Sequence, residues 1–122
     1  MGVINMIGKN ARKRFLGQYG ERLGCAEAVA ASFMEAVPVA ELRAEDFADA
    51  RGGKAPQGYC GALYAALTLA EKAAPHRVQE IKDFFLNHAG GLTCGEIRAQ
   101  KRMTCADCVE RAAELLAGRT GG

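Results

Sequence analysis

Apolar residues recur three and four positions apart almost throughout the chain, and no run reads as a strand by strict alternation or β-branched content. The pattern predicts an all-α fold. A first helix is expected over 9–19, carrying Lys9, Arg12, Lys13 and Arg14, with Gly20 closing it. A second is expected over 25–37, where Val29, Phe33 and Val37 share a face with Ala26 and Ala30 and Pro38 follows. A third, shorter one is expected over 40–50. The stretch 51–58 then reads as a loop, rich in glycine and holding Pro56.

A fourth helix is expected over 59–73, with Cys60, Leu63, Leu67 and Ala70 on one side and small residues that let a neighbour approach closely. A fifth opens on Pro75, a residue suited to the first helical position, and shows a stripe of Val78, Ile81, Phe85 and His88 before Gly90-Gly91. The last two begin with capping signals. Thr93-Cys94-Gly95-Glu96 is a capping box, and Thr104-Cys105-Ala106-Asp107 is its close relative with Asp at the third position. The final helix runs to about Ala117 on Val109, Ala112, Ala113 and Leu116. Six to seven short helices in a single compact domain are therefore expected: a basic N-terminal helix over 1–20, a cysteine-bearing core over 21–117 and a flexible tail over 118–122.

A chain of 122 residues buries enough surface for a core without disulfide staples. No stretch approaches a membrane span, and the N-terminus lacks the layout of a signal peptide, so a cytoplasmic protein without a membrane partner is expected. Met6 stands where a myristoylation motif needs Ser or Thr. A net charge of +2 gives no ground for a nucleic-acid partner. The 51–58 loop lacks the spacing of a phosphate-binding P-loop, and the terminal Gly121-Gly122 stands in no ubiquitin-like context.

The cysteines change the picture. Five in 122 residues is high for a cytosolic chain, and an odd number cannot all pair. Cys25, Cys60, Cys94 and Cys105 each fall at the start of an expected helix, where free N–H groups and the helix dipole favour thiolate. The dipole alone is worth about 0.3–1 kcal/mol at an exposed site, under one pKa unit, so strong activation needs a further partner. Basic residues stand nearby: Arg22 before Cys25, Arg98 after Cys94, and Lys101 and Arg102 before Cys105. Cys105-Ala106-Asp107-Cys108 is a C-x-x-C, a spacing that serves dithiol redox centres and metal sites alike. His76 and His88 have no ligand spacing to the cysteines. Gly58 and Gly61, the loop and helix start beside Cys60, are candidates for the close approach of a cofactor.

The ordered set of these segments resembles the C_GCAxxG_C_C family of redox-active proteins. Gln57-Gly58-Tyr59-Cys60-Gly61-Ala62-Leu63-Tyr64-Ala65 is similar to its C-G-A-x-x-G core, with Ala65 in place of the second glycine. Leu23-Gly24-Cys25-Ala26 and Leu92-Thr93-Cys94-Gly95 resemble its first and third cysteine segments, the chain from Cys105 to Ala113 resembles its last, and Arg51-Gly52-Gly53 is an abbreviated form of its Gly-rich approach. The resemblance spans about residues 20–117 and implies that Cys25, Cys60, Cys94 and Cys105 are the characteristic cysteines, with Cys108 additional.

Three functions remain open. The cysteines, Cys108 included, form a thiol–disulfide site with a redox partner and no cofactor; or Cys25, Cys60, Cys94 and Cys105 hold an iron–sulfur cluster or zinc; or the domain is a helical interaction module, open to homo-oligomer formation, with inert cysteines. Disulfide chemistry needs paired Cα atoms within about 7 Å, and a metal needs four sulfurs in tetrahedral reach.

Overall fold

The structure is a computed structural model that describes residues 3–50 and 54–118, the side chains of 3–5 excepted. Among these residues are six α-helices: α1 (Val3–Leu16), α2 (Cys25–Ala36), α3 (Gly61–Ala73), α4 (Val78–Phe84), α5 (Cys94–Gln100) and α6 (Cys105–Leu116). No strand occurs among them; a lone antiparallel bridge joins Tyr59 and Thr93. Residues 119–122 of the expected 118–122 tail and the Arg51-Gly52-Gly53 approach lie outside the described residues.

The core explains the helices. Ile7, Val29, Leu63, Leu69, Ile81, Phe85 and Val109 are fully buried in one cluster. α1 packs on α2 and α6, and α3 packs on the same two helices from the other side. Buried alanines at 62, 65, 66, 112 and 113 keep the helices close. Ala65, standing for the family's second glycine, is wholly enclosed and still small enough for this packing.

α1 departs from its expected limits. It begins by Val3 because Ile7 and Ala11, four apart, bury an apolar face beneath the basic residues. It ends at Leu16 because Gly17, rather than Gly20, first turns the chain, with φ +79°. The basic face is largely tied inward: Arg12 pairs with Asp107 at 2.9 Å and Glu110 at 3.3 Å on α6, and Arg14 reaches Ser32 at 2.9 Å and Glu35 at 3.1 Å on α2. Such partly exposed pairs contribute under about 1 kcal/mol each, so they orient the helices more than they hold them.

The helix expected over 40–50 is not there. Only a 3₁₀ turn forms at Ala44–Phe47, because Glu41 sits in the left-handed region at φ 69° and Phe47 is drawn into the core. The segment expected from 75 is a 3₁₀ turn (Pro75–Arg77), then α4, then one π-helical turn over Phe85–Ala89 ended by Gly90 at φ 88°. The π turn adds a residue per turn and rotates the face. Ala89 is buried in consequence, while His88 of the expected stripe is exposed and stacks on Phe84 at 4.4 Å. Both capping boxes form, at Thr93 with Glu96 and at Thr104 with Asp107.

α1 comes close to α6 at Gly8, where an added Cβ would meet the Glu114 side chain and, at 2.9 Å, the Glu110 carbonyl. Gly8→Val is expected to destabilise the fold by about 1–3 kcal/mol. In urea unfolding this lowers the midpoint without changing the slope; an unchanged midpoint would contradict the α1–α6 contact.

Candidate functional site

Local backbone ties, rather than the helices themselves, bring the cysteines together. The Cys60 N–H donates to the Leu92 carbonyl at 2.9 Å beside the Tyr59–Thr93 bridge, so the starts of α3 and α5 lie side by side. The starts of α2 and α3 meet at Gly61. A Cβ there would collide with the Ala50 carbonyl and the Cys25 sulfur, so only glycine fits. The Cys25 thiol in turn points at the Ala50 carbonyl, 3.8 Å away. The Thr104 box starts α6, and Asp107 is held between that cap and Arg12.

The result is one small cavity of about 40 Å³ whose walls hold Cys25, Cys60, Cys94, Cys105 and Cys108, with Gly61 and Ile97. That space holds a few waters at most. All five thiols are free. Cys60 and Cys108 are buried, Cys25 and Cys94 half-buried, and Cys105 exposed. Three of them occupy the first position of α2, α5 and α6, and Cys60 is the N-cap of α3 rather than part of its first turn. Cys108, additional on the family pattern, faces the same cavity as the other four.

The electrostatics single out Cys60. As a neutral thiol it makes no capping hydrogen bond. Ionised, it accepts a hydrogen bond from the Cys108 thiol, and the Leu63 and Ala62 N–H groups add to this. Together they outweigh burial and bring its pKa down to about 7. Cys108 moves the opposite way. Its proton is held by the bond to Cys60, by burial, and by negative charge on Cys60 and Asp107. Burial, and then the Cys60 charge, pushes the Cys25 thiol up as well. The two thiols are thus shifted in opposite directions, Cys60 toward thiolate and Cys108 toward thiol.

The close approach at Gly61 is made by the protein's own Cys25 and Ala50, while Gly58 supplies a left-handed turn at φ 74° with open space around it. Among the described residues no group of three or more His, Cys, Asp or Glu side chains is arranged to hold a metal ion. His76 and His88 are exposed and line no part of the cysteine cavity. The Ala50 carbonyl carries no sequence signal, and of the double role of Asp107, as cap and as partner of Arg12, only the first is visible in the capping box.

The sequence profile of one family, described as "Putative redox-active protein (C_GCAxxG_C_C)", matches residues 23–118, and the chain belongs to that family. No curated protein and no solved structure matches the chain. No helix among the described residues is long and apolar enough to cross a membrane.

The pKa shifts fix how stability varies with pH. Between pH 7 and about 8.5, the ordinary thiol value, the unfolded chain keeps a Cys60 proton that the folded protein has released, so stability rises with pH. Above about 9 the unfolded chain loses protons that folded Cys25 and Cys108 retain, so stability falls. Urea unfolding under reducing conditions is expected to show a maximum between these limits, with Cys60→Ser lacking the rising limb. A flat profile in the wild type would contradict these opposite shifts.

Proposed function

We propose that this family member is a dithiol–disulfide exchange protein in which Cys105 attacks, Cys108 resolves and Cys60 serves as the proton acceptor for Cys108. The observation that carries the reading is the convergence of five thiols on one cavity with a single exposed member. A space of about 40 Å³ admits no organic substrate, so exchange begins at Cys105, on the rim. Residues three apart on a helix have Cα atoms about 5 Å apart. That lies within the Cα range of a disulfide, so helix geometry permits a Cys105–Cys108 bond.

The steps follow from thiol chemistry. The Cys105 thiolate attacks one sulfur of a substrate disulfide and displaces a thiolate, leaving a mixed disulfide. Cys108 then passes its proton to the Cys60 thiolate and attacks the Cys105 sulfur, releasing the second substrate thiolate. Two cysteines are oxidised by two electrons, and one disulfide is reduced to two thiols. Cys25, Cys60 and Cys94 line the same cavity and extend exchange inward. Inert packing explains buried cysteines but not a buried site arranged to favour thiolate over thiol.

Reduced protein mixed with 2-hydroxyethyl disulfide tests the reading by mass spectrometry of the thiols. The wild type is expected to lose two thiols to an internal disulfide. Cys108→Ser should accumulate a mixed disulfide on Cys105, and Cys105→Ser should react about tenfold more slowly or worse. A Cys105→Ser protein that reacts like the wild type, or stoichiometric zinc or iron retained by anaerobically purified protein, would overturn it.

A further inference from the structure

A second and much larger space lies against the cysteine cavity. It is a cleft of about 470 Å³ lined by Cys25 and Cys105 together with Phe15, Arg22, Lys54 and Arg98. The three cations come from three separate places: the segment before α2, the loop before α3, and α5. All three are exposed, and none pairs with a carboxylate among the described residues. No Asp or Glu lines the cleft. Arg22 is already held in position: its Nε donates to the Phe15 carbonyl at 3.2 Å, and its guanidinium lies over the Phe15 ring at 5.6 Å. The two thiols are the first residues of α2 and α6, twelve-residue helices whose free N–H groups add positive potential at the same place.

We infer that this cleft is the substrate site of the thiol centre and takes a small anionic disulfide, one carrying carboxylates a few bonds from its sulfurs. The inference rests on the dithiol reading above and adds the class of substrate. The volume lies in the range of small-molecule sites, about 300–1,000 Å³. The charges suit a ligand with two acidic arms around a central S–S bond, with the arms on the cations and the sulfurs on Cys105. A concave, single-sign cleft also raises the local concentration of such a ligand. The step balances. Cys105 and Cys108, as thiols, plus R–S–S–R give two R–SH and the Cys105–Cys108 disulfide. The substrate S–S bond breaks, the protein S–S bond forms, and each departing thiolate takes up a proton that a cysteine gave up.

Three disulfides of similar length separate charge from chemistry: cystamine, a dication; 2-hydroxyethyl disulfide, neutral; and 3,3′-dithiodipropionate, a dianion. Their second-order rates of Cys105 oxidation are compared at low and high salt in the wild type and in Arg22→Gln/Lys54→Gln/Arg98→Gln. At low salt the dianion is expected to react fastest and the dication slowest. The dianion-to-neutral ratio should fall with salt in the wild type, and by about tenfold in the variant. Using the ratio cancels any change in Cys105 reactivity that the substitutions cause, and the salt series needs no variant at all. Equal rates for all three disulfides would overturn this inference and leave the dithiol reading standing; failure of all three to oxidise the protein would overturn the dithiol reading and this inference with it.

Discussion

Four helix N-termini, those of α2, α3, α5 and α6, meet around one cavity, and the positive ends of helices repel one another unless something electron-rich lies between them. Much of the molecule is arranged around that constraint. Thr93 and Thr104 supply oxygen caps to α5 and α6, each accepting one N–H of its own helix, from Glu96 and Asp107. α3 has no oxygen at its cap. Cys60 stands there instead, and its N–H groups at Ala62 and Leu63 are best met by a sulfur carrying negative charge. The fold thus places a cysteine, with its pKa lowered, where a serine or aspartate would otherwise serve.

Magnitudes decide which sulfur takes the charge. A helix terminus alone shifts a thiol by less than about one pKa unit, and burial works against it. Cys60 is buried, yet its pKa falls, because the Cys108 hydrogen bond and two backbone N–H groups act together. Cys108 lies one turn into α6, beside Cys105 and Asp107, where negative charge is disfavoured, so it keeps the proton. Asp107 is itself held ionised by the hydrogen bond from Arg12, which ties the polarity of the pair to the α1–α6 contact. Position separates the three: Cys105 meets solvent, while Cys60 and Cys108 are buried.

How far this was legible in the sequence depends on whether the signal is local. The capping boxes, Pro75 and Gly90 are local, and the helix boundaries they mark agree with the structure to within a residue or two, as does the placing of four cysteines at helix starts. The 40–50 segment had helical composition, but Glu41 in the left-handed region and the burial of Phe47 are tertiary outcomes. The π turn that buries Ala89 in place of His88 has no composition signature. Cys108 looked supplementary because its partner, Cys60, is remote in sequence, and nothing along the chain marks that pairing. Arg98 was legible as a basic neighbour of Cys94, but its place with Lys54 around one cleft beside Cys25 and Cys105 was not.

A connected thiol centre is distinguished from five separate cysteines by equilibrating reduced protein in a graded series of thiol–disulfide buffers, trapping the free thiols, and mapping every disulfide by peptide mass spectrometry. The expected result is an internal Cys105–Cys108 bond at mild oxidation, followed by bonds among Cys25, Cys60, Cys94 and Cys108 between helices of the same molecule. Five cysteines that are oxidised independently, each capped by buffer thiol or joined only between molecules, would contradict it.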